Sequence, residues 1–220
     1  MNSILERVNL VCQNVRRMND GPVSFKKLVA ITRKEFRNKE IDLALKTKKD
    51  SFLEHSHFYV EAFYDHEHDF NNETPIEVYV YHNFIPTDLF LHTQITEFLI
   101  QIYDAVVHEL RHQQQSRTRF YEIFNSGIAS PYAKYLADPD ELDAYAVSIA
   151  IELLRSMPRE RAVKYMTRMR VLSKIKTQYG YISPNLKCYV DYYGSNPLIK
   201  KVAKKVYKHL NSLDSNQIFR

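Results

Sequence analysis

Residues 93–116 read as one long helix with two incompatible faces, and the chain has to fold around both. Stepping about 100° per residue from His108, the side chains of Ile95, Leu99, Ile102, Tyr103, Val106 and Leu110 gather on one side. That stripe needs a hydrophobic core to cover it. Gln101, Asp104, His108, His112 and Gln115 gather on the opposite side. Histidines placed for packing would fall within the stripe, whereas these share a face with polar residues. Two readings of the pair stay open: a solvated surface or a binding site.

His108-Glu109-Leu110-Arg111-His112 has the pattern His-Glu-x-x-His. Positions i and i+4 stand one above the other on a helix, so two imidazoles can hold one metal ion. The Glu beside the first His then lies near the open position of that ion, where a carboxylate can take a proton from water. The pattern points to zinc-dependent hydrolysis, most often of a peptide bond. A catalytic zinc normally has a third protein ligand. The segment 138–146 is the place to look, because Ala144 and Ala146 are small enough for close helix approach. Glu141 is the first choice and Asp143 the alternative. Glu141 also stands three residues after Asp138, a capping-box spacing, so the cap competes with the ligand role. Tyr145, Tyr121 and His82 are the groups that could assist at an oxyanion.

The remaining elements follow from spacing. A helix is predicted over 3–18, with Ile4, Leu5, Val8, Val11, Cys12 and Val15 on one side, and Gly21-Pro22 ends it. Ser24 can cap a second helix, 25–37, with Leu28, Val29, Ile31 and Thr32 inward. A short extended piece is expected at 41–45. Runs 58–64 and 76–82 are rich in β-branched and aromatic residues and read as strands. The polar stretch between them reads as a solvated hairpin tip. Asp138, Pro139 and the acids that follow start a helix running to about Met157. Pro158 opens a basic helix, and 197–210 forms the last one. The order gives an α+β chain, with a core over 1–157 and a basic helical part, 158–220, packed on it.

The chain has 220 residues, 45% of them hydrophobic and 26% charged, enough for a sizeable core. Lys and Arg number 16 against 23 Asp and Glu over 1–154, and 15 against 3 over 155–220. A solvated helix face is the ordinary explanation of a basic run. An excess of this size also admits an acidic partner at the C-terminal region: nucleic acid, an acidic protein, or the chain's own acidic half. Tyr179, Tyr181, Tyr189, Tyr192 and Tyr193 could stack on bases. His55, His57, His66 and His68 could converge on a second ion, with a solvated acidic hairpin as the plainer reading. No run approaches the ~18 apolar residues of a membrane span, and the first 20 residues do not resemble a signal peptide. Cys12 and Cys188 form no CxxC pair and read as buried thiols in a reducing compartment. The expectation is a cytoplasmic protein without membrane contact.

HELRH followed by ELDAYAVSIAIELL resembles the gluzincin metallopeptidases, especially the ImmA/IrrE type with their SprT-like and phage-encoded relatives. In that group a helix with an E-x-x-A pattern follows the motif, and its Glu is the third ligand. Here Glu141-Leu142-Asp143-Ala144 begins 29 residues after His112. The resemblance spans roughly residues 76–157. It implies a zincin-like fold in which an edge strand, here 76–82, lies beside the motif helix. It also implies His108, His112 and Glu141 as zinc ligands and Glu109 as general base. Arg111 and the run Gln113-Gln114-Gln115 depart from the usual pattern. Two functions are thereby open. One is a peptidase acting on a protein or peptide through zinc-activated water. The other is a non-catalytic zincin-fold structural or interaction protein, of a phage virion or associated with nucleic acid, that uses its basic C-terminal surface.

Overall fold

The computed structural model of the chain describes residues 2–18, 21–37, 43–65, 69, 75–85, 87–118, 132–172, 182–194, 197–214, 216, 218 and 219. The protein is α+β, mainly helical with two small sheets. It divides into two compact units, Met1–Tyr121 with Phe219 and Glu122–Ile218 with Arg220.

In the first unit, α1 (Asn2–Met18) packs on α2 (Phe25–Phe36) and on α3 (His92–Thr118). Ile4, Val8, Val11 and Val15 of α1 and Leu28, Val29 and Ile31 of α2 are buried, as their spacing predicts. Burying each such side chain stabilises the fold by about 1.5–3 kcal/mol. Thr32 is tolerated among them because its hydroxyl donates to the Leu28 carbonyl at 2.8 Å. Ser24 caps α2, its Oγ accepting the Lys27 N–H at 3.4 Å.

Strands β2 (Leu43–Lys49), β3 (Phe58–Phe63) and β4 (Ile76–His82) form a sheet in the order β2-β4-β3. β2 runs parallel to β4, and β3 runs antiparallel to it. Leu45, Val78 and Val80 are buried on the inner face. On the other face Lys48 Nζ lies 4.2 Å from the centre of the Tyr79 ring, and Tyr59 stacks on Tyr81. Val23–Ser24 (β1) and Leu89–Phe90 (β5) make a separate antiparallel pair. The sequence places 76–82 at an edge, and the structure corrects this: β4 is the central strand. The reason is β2, which buries Leu43 and Leu45 and pairs with β4 along its whole length as far as Lys49, filling the other side of β4. The edge strand beside α3 is β3.

The reading of 65–75 as a solvated tip is corrected at Asp69; residues 66–68 and 70–74 lie outside the described residues. Asp69 is 0% exposed; its Oδ2 accepts the Tyr64 hydroxyl at 2.7 Å and lies 3.6 Å from the Arg117 guanidinium of α3. Burial, then the bond to Asp69, pushes the Tyr64 phenol well up. Cys12 and Cys188 are half-buried rather than buried.

The second unit is helical: α4 (Tyr132–Ala137), α5 (Pro139–Ser156), α6 (Arg159–Leu172), α7 (Pro184–Tyr193) and α8 (Pro197–Ser212). α5 contacts all four others. It is apolar nearly all round, with Leu142, Ala144, Ala146, Val147 and Ile149–Ile151 buried, which requires neighbours on every side. Its buried Glu152 accepts hydrogen bonds from the Ser183 hydroxyl and, at 2.8 Å, from Asn185 Nδ2. Ser183 in turn caps α7 by accepting the Leu186 N–H at 3.1 Å. On α8, Val202, Ala203, Val206 and Leu210 are buried. The Arg159 guanidinium donates to the Leu210 and Leu213 carbonyls and ties the start of α6 to the end of α8. Among the described residues, no helix is long and apolar enough to cross a membrane.

Candidate metal centre

The polar face of α3 lies along the outer edge of β3. The Val60 N–H donates to Gln101 Oε1 and the Tyr64 N–H to Glu109 Oε2, both at 3.1 Å. Four strand residues span ~13 Å and eight helix residues span ~12 Å, so two rungs fit between strand and helix without bending either. One rung ends on Glu109, and its carboxylate is thereby oriented from the strand. Being central, β4 offers no open edge to an extended ligand.

His108 and His112, both half-buried, stand one turn apart with their rings 4.9 Å between centres and 72° between planes. Their Nε2 atoms are 3.2 Å apart. Two nitrogens at about 2.05 Å from a tetrahedral zinc would stand ~3.3 Å apart. The spacing therefore fits chelation of one ion. It equally fits a single N–H···N hydrogen bond when one ring carries its proton on Nε2.

α5 begins as the sequence predicts. Asp138 is its cap, accepting the Asp140 N–H at 2.8 Å, with Pro139 in the first turn. The backbone N–H of Asp138, which a capping box would give to Glu141, goes instead to the Tyr135 carbonyl at 3.0 Å. The cap is complete without the Glu141 carboxylate. Asp143 is committed elsewhere: its Oδ1 lies 2.9 Å from Lys205 Nζ and 3.2 Å from His209 Nε2 on α8. Residues 141 and 143 are ~200° apart around a helix, so one can face α8 only if the other faces away. Among the described residues, His108, His112 and Glu141 are the group able to hold a metal ion. All three are half-buried, and one ligand atom from each lies within 4.8 Å of the others. Two imidazoles and a carboxylate make a mixed nitrogen and oxygen set, of the type found in catalytic zinc sites and acceptable to other divalent transition metals.

Tyr145 is half-buried one turn beyond Glu141, its ring edge-on to Tyr189 at 5.7 Å. Burial, then Tyr145 and Glu141, pushes the Tyr189 phenol up, and its hydroxyl donates to the Leu136 carbonyl at 2.9 Å. Tyr189 is fully buried and cannot stack on a base. His82 pairs with Phe58, six residues from Tyr64, which puts it roughly 20 Å along the strand from Glu109. There it packs 4.3 Å from Phe25, accepts the Phe84 N–H, and is held below the usual histidine range by burial, then by Lys49. Tyr121, His66, His68, Tyr179 and Tyr181 lie outside the described residues. His55 and His57 are exposed, 3.8 Å from Asp88 and from Glu54 respectively, and among the described residues they belong to no group able to hold a metal ion. Sequence reasoning missed Gln101 and the Tyr64 amide, because a main-chain donor carries no residue signature. No protein-family model matches the chain, and no curated protein or solved structure matches it.

Proposed function

We propose that this protein is a zinc-dependent peptidase in which His108, His112 and Glu141 hold the ion and Glu109 is the general base. The observation that carries the reading is the grouping of two imidazoles and one carboxylate within 4.8 Å, beside a second carboxylate held by a strand amide. Zinc bound there would supply Lewis acidity toward a carbonyl and make a coordinated water more acidic. Glu109, next in sequence to His108, takes the proton of the attacking water and returns it to the leaving amine. The Tyr64 N–H fixes the Glu109 carboxylate so that it need not reorient as charge develops. Tyr145 is assigned to the oxyanion because it shares a face of α5 with Glu141. The substrate class is a protein or peptide. The second reading, an interaction protein using its basic helices, is favoured by the cationic faces of α6 and α8 described below.

Metal analysis and hydrolysis of a quenched fluorescent peptide library test the proposal together. The wild-type chain should bind one zinc and cleave. Glu109→Gln keeps an oxygen for the Tyr64 amide and every ligand, so it should retain zinc and lose at least ~10²-fold in kcat. Equal turnover by the two proteins would overturn the assignment.

A further inference from the structure

The basic C-terminal helices separate into structural and exposed cations. Arg159 is consumed by the last carbonyls of α8, and Lys205 by Asp143. Arg161, Lys164 and Arg168 on α6, and Lys200, Lys201, Lys204 and Lys208 on α8, are exposed. At ~100° per residue, the α6 group falls within about 60° of arc and the α8 group within about 100°. Both groups are opposite the buried faces formed by Ala162, Met166 and Met169 and by Val202, Val206 and Leu210. α8 carries no acidic residue and α6 only Glu160. The two helices pack on each other.

We propose that these two faces bind the phosphate backbone of double-stranded nucleic acid without reading its sequence. Charge of one sign, spread over two helices on which Glu160 is the one carboxylate, is complementary to a polyphosphate. A protein partner would need aromatic or aliphatic anchors at the centre of the contact. Among the described residues the exposed large hydrophobic ones are Phe52, Phe63, Ile85, Leu89, Leu91, Tyr135 and Tyr192, and none of these lies on α6 or α8. Base stacking requires exposed rings, and among the described residues the two tyrosine rings on these helices, Tyr165 and Tyr207, are half-buried, which favours the duplex backbone over a single strand. The surface is independent of the metal centre and does not require hydrolysis.

Fluorescence anisotropy with a labelled 20-base-pair DNA duplex of arbitrary sequence, measured from 50 to 200 mM salt, tests it. If all seven cations meet phosphates, the slope of log K against log salt should approach about −6, a loss of ~10³–10⁴ in affinity over that range. The variant with Lys200→Gln, Lys204→Gln and Lys208→Gln should flatten the slope by about 3, as should Arg161→Gln with Lys164→Gln and Arg168→Gln. Exchanging Lys26, Lys27 and Lys34 of α2, also exposed, for Gln should leave it unchanged. No binding at 50 mM salt, equal slopes for wild type and both helix variants, or binding to phosphatidylserine vesicles but not to DNA would overturn the proposal.

Discussion

His112→Ala separates a metal centre from a pair of surface histidines. With the two Nε2 atoms 3.2 Å apart, metal bonds of about 2.05 Å would subtend an angle of ~103°, close to tetrahedral. On the proposed three-ligand reading, removing one imidazole would delete a ligand and not a loose neighbour. Loss of a mere supporting partner already costs 10–100-fold in metal affinity, so loss of the ligand should exceed that. The metal-free protein should hardly notice the change. His112 is half-buried on the polar face of α3, and Ala is the better helix former by a few tenths of a kcal/mol. Zinc at about a thousand times its Kd stabilises a native site by ~4 kcal/mol. For a chain of this length that raises Tm by about 8–16 °C. Differential scanning fluorimetry with and without zinc, beside metal analysis, reads both quantities. The expected result is a shift of that size in the wild type and almost none in His112→Ala, with matching Tm values in chelator. A zinc shift of equal size in the variant, or no shift and no metal in the wild type, would refute the three-ligand site.

Two further outcomes follow from the same geometry. Glu141→Ala should abolish metal binding, whereas Asp143→Ala should keep it and destabilise the fold by about 1–3 kcal/mol, because Lys205 and His209 lose their shared acceptor. Metal content and urea melts distinguish the two, and loss of metal in Asp143→Ala alone would reverse the ligand assignment. Stability should be pH-independent with respect to Tyr64 and Tyr189 below pH ~10 and fall above it. Both phenols are pushed up in the folded chain, so the unfolded state releases protons first, at up to ~1.4 kcal/mol per pH unit for each. Tyr189→Phe should flatten the decline between pH 10 and 11 in denaturant melts, and an unaltered slope would show that Tyr189 ionises in place.

The helices were legible because their burial is one-sided or complete. The stripe through Ile95, Leu99 and Val106, the cap at Asp138 with Pro139, and the inward set of α8 are all local patterns, and the structure realises them. β2 was legible only as far as Leu45, because beyond it Lys46, Lys48 and Lys49 are all exposed and no apolar residue marks the strand. Its parallel union with β4 joins residues more than 30 apart in sequence, and no local pattern records that. α7 was missed because its turn residues, Ser183 and Pro184, serve as a cap and first turn rather than a break. At the site, the two histidines and Glu141 could be named from type and spacing. What holds Glu109 could not, since its partner is the backbone of Tyr64.

The strand order β2-β4-β3 also fixes when this sheet can exist during synthesis. β2 and β3 leave the ribosome first, yet neither pairs with the other; both wait for residues 76–82. Until then each is an open strand edge without a neighbour, the condition in which chains associate with one another. The lysines of β2 and the acidic Glu61 of β3 lie on those waiting strands, and like charges there discourage two copies of the same strand from pairing. A chain from which residues 76–82 are deleted should therefore lose the whole three-stranded sheet, not one strand of it, and with it the ordered Tyr64 amide that holds Glu109.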